Sequence, residues 1–391
     1  MIFLCAFGLS TLAVLALTPA VRVLATRLRF LDYPNHKKVH LTPTPLLGGI
    51  AVALASLAAA AAALAFIRCP YSARIVGFMS GGLMVVILGL ADDANGMRPA
   101  VKLAGQTAAA AVMLLSGGVE GLPLPITLAV PLALFWMVGL MNAFNFLDNM
   151  DGISSGLAAI ASFGIFTLAL GNGNVYTAIA AISVAGGALG FLRYNFAPAS
   201  IFLGDAGSLF LGYVVGGLSL RAVAHAGAGS SALLIPVLML GYPIFDSLLV
   251  TVARLREGRE LSQGGRDHSS HRLAHLGLSA RQTAATIYVI SGSLTAAAIC
   301  LARFGGGRPV LTAVATVAAA AGMLVLGLRL LRVPVLEGAG KLAVDVTRPL
   351  VASGERGDDL LVLRFADDEL LDGEEEAEPS LESSRETVEA R

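Results

Sequence analysis

Asn142, Asn145, Asp148 and Asp151 recur at every third position of the stretch NAFNFLDNMDG, residues 142–152, directly after an apolar run long enough to cross a bilayer. Carboxylate and carboxamide oxygens are hard ligands, of the kind Mg2+ takes while keeping part of its water shell. On a straight α-helix each three-residue step falls about 60° short of a full turn, so the four side chains would spread over half the helix surface. They converge only where the helix tightens to 3₁₀ or breaks, and Gly152 permits a break. A helix end with Asn and Asp as capping and turn residues is the plainer alternative. Four such residues at a membrane edge exceed what a cap requires.

Four other stretches carry similar chemistry. In GLADDANGMRPAVKLAGQ, residues 89–106, the adjacent Asp92 and Asp93 repel each other, a cost that a divalent cation or a cationic substrate group would relieve. Pro99 suits a first helical turn, and Lys102 and Gln106 then share a face. In NFAPASIFLGDAGSLFLGY, residues 195–213, Asp205 stands just before an apolar span. Gly204 and Gly207 allow close backbone approach to a ligand, and the helix start would offer N–H groups to phosphate. The plain alternative is an N-cap by Asp205 or Ser208.

GGRDHSSHRLAHLGLS, residues 264–279, sets His268 and His271 one turn apart, flanked by Arg266 and Arg272, a group suited to a pyrophosphate. A basic loop drawn to anionic lipid is its alternative; zinc on His268, His271 and His275 lacks a completing ligand. DYPNHKKVHLTPTPLLGGIAV, residues 32–52, supplies Lys37, Lys38 and His40 ahead of a glycine pair that lets a helix pack closely.

The elements that must position these residues are membrane spans. Mean hydropathy is +0.76, with 56% hydrophobic and 14% charged residues, which excludes an ordinary soluble globule. Eleven apolar runs approach the ~20 residues that cross a hydrocarbon core. They lie near 2–21, 46–67, 75–91, 100–116, 123–141, 155–171, 174–192, 207–223, 231–250, 283–302 and 309–331. The fold class expected is all-α, a polytopic membrane protein of about eleven helices. Cys5, Cys69 and Cys300 lie in or beside the runs without paired spacing, which suggests packing.

Lysine and arginine gather in alternate connections, so the positive-inside rule makes those cytoplasmic and the N-terminus external. No Lys or Arg precedes the first run, as a secretory signal would require, and an uncleaved first helix is expected. Of the eight acids before residue 250, only Glu120 then falls on the outer side. Collecting carboxylates from five segments on one membrane face is the pattern of an active site.

Residues 1–340 hold 21 Lys/Arg and 12 Asp/Glu, whereas 341–391 hold 6 and 15. The chain is therefore expected to divide into a membrane domain, 1–335, and an acidic, disordered, cytoplasmic tail, 336–391. Small-residue faces such as GGLMVVILG, residues 81–89, would pack within one chain or between the two chains of a homodimer. No nucleic-acid partner is expected.

Taken together and in this order, the five stretches resemble the polyprenyl-phosphate N-acetylhexosamine-1-phosphate transferase family over roughly residues 30–280. The family includes the undecaprenyl-phosphate GlcNAc-1-phosphate transferase and the phospho-MurNAc-pentapeptide transferase. The resemblance implies a cytoplasmic-face active site in the inner (plasma) membrane and a Mg2+ requirement, with Mn2+ as a substitute. The implied reaction moves a sugar 1-phosphate from a UDP-sugar to a polyprenyl phosphate with release of UMP.

By the same resemblance Asp92, Asp93, Asp148 and Asp151 are catalytic, and Asn145 and Asp205 hold the metal. Lys38, His40, Lys102, Arg266, His268, His271 and Arg272 bind substrate. Asn149 stands where many members have Gly, and Ser270 occupies the third place of an H-x-H-H pattern. The three consecutive His of the pentapeptide-type enzyme are absent, which favours the GlcNAc branch, in the first lipid-linked step of a surface polysaccharide. A lipid-sugar transporter, the reading from another class, would place its ionisable residues near mid-bilayer in repeated halves.

Overall fold

A computed structural model describes residues 1–33, 43–70, 72–224, 232–260, 265–304 and 309–333. Lys37, Lys38, His40 and the acidic segment expected from 336 lie outside the described residues. The architecture is all-helical. In chain order the helices are α1 (Ile2–Arg27), α2 (Gly48–Phe66), α3 (Ala73–Asn95), α4 (Pro99–Met113), α5 (Ile126–Leu147), α6 (Ile153–Gly171) and α7 (Val175–Asn195). They continue as α8 (Gly204–Val223), α9 (Leu234–Met239), α10 (Gly241–Arg256), α11 (Ser269–His275), α12 (Ala280–Phe304) and α13 (Pro309–Leu330). A two-residue antiparallel bridge, β1 (Leu31–Asp32) with β2 (Thr44–Pro45), ties the end of α1 to the start of α2.

Among the described residues ten helices are long and apolar enough to span a membrane. The eleventh expected span, 231–250, is instead the broken pair α9 and α10, interrupted at Leu240. Pro243 is the physical reason. It has no N–H to give the Met239 carbonyl four residues back, and its ring crowds that carbonyl. The pair still carries the chain from the end of α8 to the loop before α11, so alternate connections keep to the two faces that the charge pattern separates.

Helix α8 is the hub. Inside its span 94% of residues are buried, against 11% for α13, and α2, α3, α5, α6 and α7 surround it. In lipid, where tails are as apolar as leucine, helices associate by close packing of small residues. Gly49 of α2 meets Gly207 of α8 so tightly that a Cβ on Gly207 would stand 2.5 Å from the Gly49 Cα. Gly207 thus seats α2 rather than leaving backbone open to a ligand. Gly207→Val is expected to cost at least ~1–3 kcal/mol through overpacking, measured as a lower Tm in detergent; an unchanged Tm would refute this account of the contact.

The 81–89 face, read as a candidate seam between chains, is used inside one chain. Gly81 lies against Tyr213, and Gly89 against the backbone of Ala206. These contacts lock α3 to the first turns of α8 and fix where Asp92 and Asp93 stand relative to Asp205.

Candidate active site

At one end of the bundle, where α3, α5 and α7 finish and α4, α6 and α8 begin, polar side chains from four helices meet. The Lys102 ammonium, one turn into α4, is their centre. Its Nζ lies 2.5 Å from Asp205 Oδ2, 2.8 Å from Asp92 Oδ2 and 3.0 Å from Asn145 Oδ1. Asn145 donates its amide to Asp205 Oδ1 at 2.7 Å and to Ser208 Oγ at 3.0 Å. One turn deeper Asn142 donates to Oε1 of buried Gln106 at 2.8 Å, an amide pair that aligns α4 with α5. Lys102 and Gln106 do share a face, as their spacing predicts.

Adjacent Asp92 and Asp93 divide their work. Asp92 accepts from Lys102 and from the Met97 backbone N–H at 2.6 Å, closing the turn between α3 and α4. Asp93 turns to α8 and accepts from the backbone N–H groups of Asp205, at 2.8 Å, and Ala206, at 3.1 Å. Asp148, just past the end of α5, stands near the backbone of Gly204. Gly204 has φ +73°, and a Cβ there would stand 2.9 Å from Asp93 Oδ2, so glycine is required on both counts.

The start of α8 is therefore capped in trans, by the Asp93 carboxylate from α3. This corrects two expectations together. The N–H groups of Asp205 and Ala206 are not open to a phosphate, and neither Asp205 nor Ser208 is the capping side chain. The arrangement is favourable because negative charge at a helix N-terminus meets both unpaired donors and the positive dipole end.

The four Asn and Asp residues at three-residue spacing fan out rather than converge. Helix α5 ends at Leu147, and Gly152 adopts φ +79° to start α6. Asn142 and Asn145 face α4 and α8, while Asp148 faces the α8 N-terminus. Asp151 Oδ2 accepts from the Ala199 N–H at 2.8 Å in the connection between α7 and α8. Buried Asn195 reinforces that join, accepting from the Gly152 N–H and the Ser155 hydroxyl and donating to the Ile201 carbonyl. Burial, and then the charges of Asp205, Asp93 and Asp151, pushes the Asp148 carboxyl well above the usual carboxylate range.

The histidine segment packs against the other side of the α5 terminus. His268 sits edge-on to Phe146, with ring centroids 6.0 Å apart, and 6.2 Å from the His271 ring. Its Nδ1 lies 2.8 Å from Asp246 Oδ2. Asp246, fully buried on α10, also accepts from the Ser269 N–H and hydroxyl, and Tyr242 meets that hydroxyl at 2.8 Å. A carboxylate on Nδ1 orients the imidazole. Burial, with His268 and Arg266 beside it, lowers the His271 imidazole to about 4, so it is neutral at pH 7.

Asp246→Asn is expected to lower kcat by ~10–100-fold, the range for losing a partner that orients a functional histidine, and to displace the pH–rate profile. Unchanged kcat and pH profile would leave Asp246 a packing residue.

Arg272 is a correction. Its guanidinium is buried and bonded to the backbone carbonyls of Asp267, Leu330 and Val333, so it anchors the end of α13 rather than reaching substrate. Arg266 is half-buried beside His271. Lys38 and His40 fall outside the described residues. Two positions that depart from the family pattern touch each other, Ser270 donating to Asn149 Oδ1 at 2.6 Å and joining the His segment to the 148–152 turn.

Sequence reasoning missed Asp246 as a partner of His268. It also missed Arg254, which forks onto Asp267 through Nε at 2.8 Å and Nη2 at 3.2 Å while covering the Phe146 ring. Asp246 carried one usable signal, an acid inside an apolar run beside a basic loop.

The donors suit a hard cation. Asp92, Asn145 and Asp205 already direct three oxygens at one positive group, the Lys102 ammonium. Among the described residues no three His, Cys, Asp or Glu side chains stand at mutual ligand spacing. An ion that keeps several waters needs only one or two carboxylates, so the set fits Mg2+ without a closed cage.

Residues 75–223, which hold Asp92 through Asp205, match the model of Glycosyl transferase family 4. The chain is 34% identical over 306 residues to the probable undecaprenyl-phosphate N-acetylglucosaminyl 1-phosphate transferase of Bacillus subtilis, covering 76% of this chain and 84% of that protein. It is 33% identical over 308 residues to the decaprenyl-phosphate N-acetylglucosaminephosphotransferase of Mycobacterium tuberculosis, covering 70% and 76%. A phospho-N-acetylmuramoyl-pentapeptide-transferase of Desulforudis audaxviator is 34% identical over 259 residues, covering 56% and 75%.

Proposed function

The chain belongs to glycosyl transferase family 4, and from that premise we propose that it transfers GlcNAc 1-phosphate from UDP-GlcNAc to undecaprenyl phosphate, releasing UMP. Membership makes it a multi-pass membrane protein that transfers a sugar 1-phosphate to a polyprenyl phosphate. The finer choice of GlcNAc is supported by relatives of that specificity aligning over more of the chain than the pentapeptide-type relative does, and by the absence of three consecutive histidines. The product would be the first lipid-linked intermediate of a surface polysaccharide.

The observation that carries the reading is the meeting of Asp92, Asn145 and Asp205 on Lys102 at helix ends. There a water-soluble nucleotide can meet a phosphate that never leaves the bilayer. An oxygen of the lipid phosphate attacks the phosphorus that bears the sugar; a new P–O bond forms, the bridging P–O bond to UMP breaks, and UMP departs with that oxygen. Such a reaction needs positioning and charge neutralisation above all.

Lys102 holds phosphate charge from one side of the α5 terminus, and Arg266, His268 and His271 from the other. Of the aspartate pair, Asp92 faces the reacting groups, while Asp93 holds the start of α8. Asn145 and Asp205 would hold Mg2+, or Mn2+ in its place, which when bound supplies further neutralisation of the pyrophosphate. A bilayer-open apolar cleft between α10, α12 and α13, of about 490 Å3 and rimmed by Arg256, offers hydrocarbon contact to the acceptor chain. The lysines and arginines of the site-side connections favour a cytoplasmic active site in the plasma membrane, with the N-terminus outside.

The test is UMP release by purified protein with undecaprenyl phosphate and a panel of UDP-sugars, with and without EDTA. Release with UDP-GlcNAc alone, lost in EDTA, is the expected result. Release with a different sugar would replace the donor, and metal-independent release would remove Mg2+ from the reading.

A further inference from the structure

The face opposite the carboxylate cluster holds a second charged feature that the transfer reaction does not use. Its connections and helix ends carry Arg68, Arg74, Arg221, Arg303 and Arg308 against a single acid, Glu120. Arg74, in the first turn of α3, pairs with Glu120. Arg221, in the last turn of α8, is half-buried, and its guanidinium makes no hydrogen bond or ion pair among the described residues. The residues of this face outside the described set, 71, 225–231 and 305–308, contain no carboxylate that could serve it.

Nor is Arg221 needed to cap its own helix. The amides of Asn172 and Asn174 already donate to the carbonyls of Ala222, at 2.9 Å, and Arg221, at 3.4 Å. Both guanidiniums line one crevice, which opens where α2 and α3 barely touch and is floored by α7 and α8. Its inner space is about 50 Å3, several times the ~10–15 Å3 that one water requires by the same measure.

Below the arginines the walls are hydrocarbon, including Leu57, Phe78, Met79 and Leu218. At the level of the first turn of α7 the crevice is lined by Thr177, which is 1% exposed and whose hydroxyl has no partner. Two guanidiniums lining one membrane-embedded crevice, with a carboxylate on only one of them, are costly unless an anion joins them.

We propose that this crevice binds one anionic phospholipid of that leaflet. Its phosphate lies between Arg74 and Arg221, its glycerol-ester oxygens lie within reach of the Thr177 hydroxyl, and one acyl chain runs along α2 and α3. The charge calls for a phosphate and the walls below it for a hydrocarbon chain; a phospholipid supplies both. The site goes beyond the transfer reaction and does not depend on the donor sugar or the metal.

The test uses the full chain in detergent with dioleoyl-phosphatidylglycerol, read by native mass spectrometry and thermal unfolding. One retained lipid and a raised Tm are expected for the wild type, at least tenfold weaker retention for Arg221→Gln, and intermediate retention for Arg221→Lys. Leu57→Trp, which obstructs the apolar part and leaves both arginines, is expected to weaken retention as well, and serves if the arginine variants do not fold. Equal retention by wild type and both Arg221→Gln and Leu57→Trp would overturn the proposal. So would equal competition by dioleoylglycerol, which lacks the phosphate, or a Tm rise reproduced by inorganic phosphate alone, which would make the site one for a free anion.

Discussion

Asp205→Asn is expected to reduce UMP release by ~10³-fold or more, equivalent to about 4 kcal/mol of lost transition-state stabilisation, while the protein still folds. The side chain keeps its size, so α8 keeps its capped start, which rests on the Asp205 backbone rather than its carboxylate. What is lost is the charge that accepts from Lys102 at 2.5 Å and from Asn145 at 2.7 Å and that would hold the cation. The measurement is kcat at saturating UDP-sugar across a Mg2+ titration, with Tm as the folding control. A variant within tenfold of wild type at any Mg2+ concentration would remove Asp205 from the metal and from the chemistry.

Lys102→Gln should lose a similar factor, ~10³-fold in kcat/KM, and should also lose stability, which separates it from Asp205→Asn. Lys102 is the cation that touches both Asp92 and Asp205, and its side chain is only 15% exposed. Without it two carboxylates and the Asn145 oxygen face one another across a poorly solvated gap, and removing one partner of such a network costs several kcal/mol. Under the proposed function Mg2+ would take up the same negative charge. Added Mg2+ should therefore raise the Tm of the variant more than that of wild type, without restoring turnover. A variant with wild-type Tm and no Mg2+ response would mean that Lys102 does not neutralise this cluster.

The contrast between Asp92 and Asp93 bears on how aspartate pairs are read. Adjacent carboxylates look like one functional unit, yet on a helix they point about 100° apart. Here that angle sends one to Lys102 and the other to the backbone of α8. Substituting either is expected to lower turnover, by different routes.

Much was legible in the residues alone. Apolar run length gave ten continuous spans and the location of the eleventh, because crossing hydrocarbon imposes a length and forbids unpaired backbone groups. The alternation of charged connections separated the two faces. Asp92, Lys102, Asn145, Asp148 and Asp205 stood out because polar groups at the ends of apolar helices are costly without a use. Gly49 carried its meaning as well, since a glycine pair at the head of a span invites close packing.

What only the tertiary structure decided is which of these groups touch. Asp93 caps a helix that begins more than a hundred residues later. Asp246 orients His268 from within a broken span, Ser270 meets Asn149, and Arg272, alike in type to Arg266, is spent on the carbonyls at the end of α13. Period and hydropathy report the environment of each residue along its own element. Partners across elements are set by how close helices approach and at what register, and here the glycine contact between α2 and α8 and the backbone contact of Gly89 with Ala206 fix that register.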